Sequence, residues 1–198
     1  SKKQRSKNLL YLEGNSHTAQ FIPMINSIKS NNPFYYKHNA GHLNGINYKK
    51  INLLTQSYGE IIYATHISDI KNLELIKDIS ENFNNKVKIL ILGPIPNIND
   101  NVSPLKCLIQ SINCFYKTEI DIDKRKLNKY YETLYKILNN HDNFYFYNPY
   151  KIICPRNKCY VYDYENDLLT HRDMSHLTIE GSLLLKNDFK NFYNKNFN

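Results

Sequence analysis

Asn8-Leu9-Leu10-Tyr11-Leu12-Glu13-Gly14-Asn15-Ser16-His17 is the stretch on which the reading of this chain turns. It reads as a short apolar strand running straight into a tight turn that carries a serine. From Thr18 to Ser30, apolar residues stand at Phe21, Ile22, Met24, Ile25 and Ile28, the spacing of one helical face. Ser16 therefore sits where a strand hands over to a helix. The first amides of a helix have no intrahelical partner, and that end favours negative charge. A serine there can attack a carbonyl and find a backbone N–H already aimed at the oxyanion it creates. It can equally be a plain N-cap, a role serine fills often. The chemical reading needs a partner elsewhere in the chain.

Strand and helix signals alternate for most of the length. Pro33 to His38 reads as a second strand that empties into the Gly- and Asn-rich loop Asn39-Ala40-Gly41-His42-Leu43-Asn44-Gly45. Ile46 to Tyr58 is ambiguous. Glu60 to His66 has the continuous apolar character of a buried parallel strand, and Ser68 to Asn84 has helical spacing. Lys86 to Gly93 is the clearest strand, stopped by Pro94-Ile95-Pro96. A short helix through Cys107 to Cys114, a long one over Asp121 to Asn140, a strand over Asn143 to Tyr147, a Cys-closed hairpin from Cys154 to Tyr164 and a final helix from Thr178 complete the pattern. The alternation predicts an α/β fold, a three-layer α/β/α sandwich around a mostly parallel sheet. In such sheets sites form at the carboxyl ends of strands, where Ser16, the Gly41 loop, His66 and the Gly93-Pro94 turn emerge. No dinucleotide or P-loop fingerprint is present.

With 198 residues, 41% of them hydrophobic, the chain suits one domain over residues 8–198 behind a basic stem at 1–7. The net charge of +8 suits acidic glycans, anionic headgroups or nucleic acid, but the cations are scattered and no nucleic-acid-binding signature accompanies them. No apolar run approaches the length of a membrane span, and the abrupt charged start looks cut from something longer. Cys107, Cys114, Cys154 and Cys159 fall as two local pairs without the CxxC knuckles of a zinc site. Disulfides in an oxidising compartment are the favoured reading, reduced core thiols the alternative, and no metal is expected.

The second chemical segment is Thr170-His171-Arg172-Asp173-Met174-Ser175-His176-Leu177-Thr178-Ile179-Glu180-Gly181. Asp173 can reach back to one ring nitrogen of His176, fixing its tautomer and stabilising the imidazolium, while the other nitrogen faces a nucleophile. A capping aspartate beside a surface histidine produces the same pattern, and His171 is a nearby decoy. A serine after the first strand combined with Asp-x-x-His before the last helix resembles the SGNH (GDSL-like) hydrolases. It is most similar to the SGNH domain fused to bacterial acyltransferase-3 membrane O-acyltransferases. Gly14-Asn15-Ser16-His17, the proline at 23, Gly93-Pro94-Ile95-Pro96, the Cys154 and Cys159 pair and Asp173-x-x-His176-Leu177-Thr178-x-x-Gly181 carry the likeness, in order, over nearly the whole chain.

The resemblance implies a flavodoxin-like sheet topology, Ser16 as nucleophile, His176 as general base and then acid, and Asp173 as its orienting carboxylate. It further implies Ser16 N–H and Gly41 as oxyanion donors. The activity expected from it is O-acyl transfer, most simply O-acetyl transfer, to a hydroxyl of a bacterial surface glycan such as an O-antigen, another polysaccharide or peptidoglycan. It implies no cofactor beyond the acyl donor, with acetyl-CoA as a source handed on by a membrane domain. The partners expected are a glycan acceptor and an upstream membrane acyltransferase domain, the fragment lying on the periplasmic or extracellular face and tethered to the inner membrane. Two departures stand out: Asn15 replaces the usual Asp, and the third strand ends in Ala64-Thr65-His66 without the family's Asn block. Rival readings are a standalone carbohydrate esterase, a glycan-binding module that has lost catalysis, and a plain basic α/β domain.

Overall fold

The computed structural model describes residues 8–28, 33–40, 43, 45–97, 124–155, 159, 161–163 and 168–197. The described residues fall into two compact units, one drawn from 8–18, 33–92 and 125–147, the other from 19–28, 93–97, 124 and 148–197.

The first unit is built on five parallel strands, β1 (Leu9–Gly14), β2 (Phe34–His38), β3 (Ile61–His66), β4 (Val87–Leu92) and β5 (Phe144–Tyr147), in the order β2-β1-β3-β4-β5. The three middle strands carry unbroken apolar runs, which a strand buried on both faces requires. One face packs Leu9, Tyr11, Ile61, Tyr63, Ile89 and Ile91 against α3 (Tyr48–Leu54), α4 (Ile70–Ser80) and α5 (Lys124–Asn140). On α5 the buried residues Tyr130, Leu134 and Ile137 follow the four- and three-residue steps of one helix face. Each apolar side chain so buried contributes about 1.5–3 kcal/mol. The intervening positions Leu10, Leu12, Ile62, Ala64, Leu90 and Leu92 are also buried, so neither face of the middle strands is open, as the three-layer reading requires.

The chain leaves β1 outward to β2 and crosses back to β3, which makes the carboxyl ends of β1 and β3 the topological switch point of the sheet. Those ends are Gly14 and His66. The ambiguous segment 46–58 holds α3, started by Asn47, whose side chain accepts from Lys50 N.

In the second unit α2 (Ile22–Ser27) lies against α7 (Ile179–Leu184) and α8 (Lys186–Phe197). The expected helix over 18–30 begins later than its apolar spacing suggested, because Pro23 sits in the first turn of α2, where the missing N–H costs nothing. Four-residue α1 (Ser16–Ala19) and α6 (Tyr150–Ile153) complete the helices among the described residues. Cys154 and Cys159 are disulfide-bonded. The hairpin expected from Cys154 to Tyr164 is shifted along the chain: β6 (Tyr162–Asp163) pairs antiparallel with β7 (Leu168–Leu169). Four residues between the bonded cysteines leave too little chain for a paired ladder there, and the described strands form beyond the link.

Candidate functional site

The turn after β1 is shaped by its glycine. Gly14 has φ +154°, and a Cβ there would run into the Thr18 side chain, so β1 can hand over to α1 this tightly only without a side chain. Asn15 then caps the turn: its Oδ1 accepts from His17 N at 3.0 Å and its carbonyl accepts from Thr18 N at 3.0 Å. Asn15 thus keeps the turn-forming work of an aspartate and drops only the charge. Ser16 is the first residue of α1, half-buried, at the carboxyl end of β1. Thr18 Oγ1 accepts from His66 N at 3.3 Å, which ties this turn to the end of β3. The His66 ring stacks on that of His17 with centroids 5.9 Å apart. His66, where the family's Asn block is missing, is therefore part of the shell around the Ser16 turn.

Asp173 and His176 occupy a loop of the second unit whose base is closed by the His171 to Leu177 bridge and by Arg172 N donating to His176 O at 3.0 Å. Asp173 Oδ1 accepts from Ser175 N and His176 N, both at 2.9 Å. Both carboxylate oxygens lie 2.9 Å from His176 Nδ1. That bond assigns the ring proton to Nδ1 and leaves Nε2 with its lone pair, the tautomer a serine base needs. Burial raises the Asp173 pKa, but the hydrogen bonds from Ser175 N, the His176 ring and His176 N outweigh it, and the net shift is downward. Asp173 stays ionised at neutral pH. The loop is held from below: Leu177 N donates to Gln20 Oε1 at 2.8 Å, and Thr178 caps α7 through Gly181 N at 2.8 Å. A Cβ on Gly181 would strike the Thr170 carbonyl, so the glycine lets α7 approach the strand that precedes the loop.

His171, the decoy, is fully buried and serves the loop differently. Its Nε2 lies 3.1 Å from Pro96 O and its Nδ1 2.8 Å from Thr170 Oγ1. A neutral ring protonated on Nε2 donates to the Pro96 carbonyl, which links the Gly93-Pro94-Ile95-Pro96 segment to the His176 loop. Burial lowers its pKa from 6.5 to about 4, against smaller raising effects of the Pro96 bond and Asp173. Between these values the unfolded chain binds a proton that the folded chain refuses. Stability is therefore expected to fall as pH drops from about 6.5 to about 4 and to level off below, by on the order of 3 kcal/mol in total. Denaturant melts across this range check it; His171→Gln should flatten that part of the slope, and an unchanged slope in the variant would refute the assignment.

Gly41, Cys107 and Cys114 lie outside the described residues. Among the described residues no group of three His, Cys, Asp or Glu side chains is arranged to hold a metal ion, and no helix is long and apolar enough to cross a membrane. The reading from sequence missed Glu13, which is 1% exposed at the penultimate position of β1 and bonded to Lys37 and Asn39. Its signal was present: one acidic residue on the same strand parity as Leu9 and Tyr11, in an otherwise apolar run.

Comparison with known proteins identifies a family and a structural neighbour. The family model "SGNH domain (fused to AT3 domains)" matches residues 34–191, a span that begins after the Ser16 turn. The solved periplasmic domain of the lipopolysaccharide acetyltransferase of Salmonella ser. Paratyphi A superposes with a TM-score of 0.66 at 18% identity, covering 95% of this chain and 84% of that one. The α/β fold read from the sequence is thus shared with a solved SGNH-like domain. No curated protein sequence matches the chain.

Proposed function

Since the chain belongs to the family of SGNH domains fused to AT3 domains, we propose that it carries out serine-dependent O-acyl transfer, most simply O-acetyl transfer, to a hydroxyl of a bacterial surface glycan. The observation that carries this reading is the Asp173 carboxylate bracketing His176 Nδ1 with both oxygens at 2.9 Å. Nothing in a capping role asks for that second contact. The lipopolysaccharide acetyltransferase neighbour supports a glycan acceptor and a periplasmic location, and the family's fusion supports an upstream membrane acyltransferase domain as the source of the acyl group.

In this mechanism Ser16 Oγ attacks the acyl carbonyl of the donor while His176 Nε2 takes its proton, and Asp173 stabilises the imidazolium. The tetrahedral oxyanion accepts from the Ser16 backbone N–H at the head of α1, with Gly41 N–H as the second donor. Collapse breaks the bond to the donor's leaving group, which receives the proton from His176, and leaves an acyl-serine. A sugar hydroxyl then gives its proton to Nε2 and attacks the acyl-serine. The second collapse returns the proton to Ser16 Oγ and releases the glycan ester. Water as acceptor gives an esterase with the same residues, so exclusion of water from the acyl-serine decides the product.

The test is intact-mass spectrometry of the purified domain after exposure to an activated acetyl ester, alone and with an O-antigen oligosaccharide. An acetyl adduct mapping to Ser16 that is discharged onto the sugar supports transfer. Discharge to water alone points to the esterase. Absence of any adduct, with ester turnover unaffected by loss of Ser16, overturns the proposal.

A further inference from the structure

A buried carboxylate is costly unless it is bonded, and replacing a buried ion pair by apolar residues is often neutral or stabilising. Glu13 shares its strand face with Leu9 and Tyr11, where a leucine would bury without desolvating a charge. Its side chain is 0% exposed, and Oε1 accepts from Lys37 Nζ at 2.7 Å and Asn39 Nδ2 at 3.1 Å. Its second oxygen, Oε2, has no hydrogen-bond partner among the described residues. An arrangement that leaves an oxygen in this state is poor as a stability device. What it does provide is direction. Both donors come from β2 or the residue just past it, and Lys37 is the register partner of Glu13 across the sheet.

The bonds on either side make the same link. Asn39 N donates to Gly14 O at 2.9 Å, and Tyr36 Oη donates to the same carbonyl at 3.2 Å while lying 3.1 Å from His38 Nδ1. The last two residues of β1 are therefore laced to the end of β2 immediately before Asn15 and Ser16. Among the described residues β2 has one neighbour in the sheet, so fewer ladder bonds of the described sheet hold its end than hold β3 or β4. Glu13 supplies the charged, shortest member of this lacing.

We propose that Glu13 is a positioning residue: through Lys37 and Asn39 it fixes the backbone from which the Ser16 turn springs. This rests on Ser16 being the nucleophile. A turn displaced by a fraction of an ångström moves both the attacking oxygen and the oxyanion-binding N–H, while leaving substrate contacts made elsewhere intact. The loss therefore falls on kcat.

The experiment compares Glu13→Gln, Lys37→Met, Lys37→Arg, Asn39→Ala and the Glu13→Gln/Lys37→Met pair in the purified domain, by acetyl-ester kinetics and by hydrogen exchange. Glu13→Gln and Lys37→Met are each expected to lower kcat about ten- to a hundredfold with KM within about twofold. Their combination should lose little more than either alone, and Lys37→Arg should retain most of the rate. Amide exchange should accelerate over residues 14–18 and 36–40 and nowhere else. Asn39→Ala, at a half-buried site, provides a milder break should Glu13→Gln fail to fold, and is expected to show the same exchange pattern. Unchanged exchange in the turn, or additive losses that follow the folded fraction, would overturn the proposal. Should wild-type protein turn over no ester, the exchange pattern alone decides whether Glu13 holds the turn, and the acetyl adduct on Ser16 decides the nucleophile separately.

Discussion

Ser16→Ala is expected to reduce acetyl-ester turnover by at least about a thousandfold and to abolish the acetyl adduct, with the thermal melt close to wild type. The reason lies in the turn. Gly14 and Asn15 set the path of the backbone, one by its φ and the other by accepting from His17 N, and neither contribution involves the serine hydroxyl. Alanine is compatible with the first position of a helix, so the variant loses the oxygen and keeps the local fold. Its backbone N–H is retained as well, so that any oxyanion donor at this position survives. What disappears is the atom that forms the acyl bond, and the residual rate reports only what binding and the remaining donors achieve with water. His176→Ala should cost as much, and the double variant little more, because the two act on the same step. Turnover in Ser16→Ala within tenfold of wild type would remove Ser16 from the mechanism and return it to the role of a helix-start residue.

The fold was legible because burial leaves a local trace. The runs Leu9 to Leu12, Ile61 to Ala64 and Ile89 to Leu92 are apolar at every position, as a strand covered on both faces requires. Helix α5 announced itself by spacing. The order β2-β1-β3-β4-β5 had no such trace, because nothing local to β1 says which neighbours it takes, and it came only through the family resemblance. The hairpin was misplaced for a related reason: the Cys154 and Cys159 pair marked a loop closure, and the strands formed after it.

The candidate residues divide the same way. Asp173 and His176 are three positions apart, so their contact is local and the spacing revealed it. His171 was visible but its partner was not, since Pro96 lies 75 residues away. A buried histidine bound to a distant carbonyl and an exposed one look alike in sequence. Glu13 is the sharper case. Its partners Lys37 and Asn39 belong to the next strand and the residue after it, so nothing local to β1 shows what an acidic residue in an apolar run is bonded to. Contacts made across the sheet are the ones a single sequence hides, and in this chain they surround the Ser16 turn.

Asp173→Asn is expected to cost about three to four orders of magnitude in kcat with KM little changed, and to leave the loop standing. Asparagine keeps an oxygen able to accept from Ser175 N and His176 N, so the turn that presents the histidine survives. It cannot do the rest. With its oxygen committed to those two amides, the side chain offers its N–H2 toward His176 Nδ1 in place of the second carboxylate oxygen. The ring then favours the tautomer protonated on Nε2, which has no lone pair left to take the serine proton. The imidazolium that does form has lost its counter-charge. A merely structural Asp173 predicts a different outcome, a small loss of rate that tracks a fall in melting temperature. Nitrogen-15 NMR of the His176 ring separates the two: wild type should show the proton on Nδ1 and the variant should show it on Nε2. A variant with the wild-type tautomer and a rate within tenfold of wild type would leave Asp173 as a turn-former and withdraw it from the catalytic group.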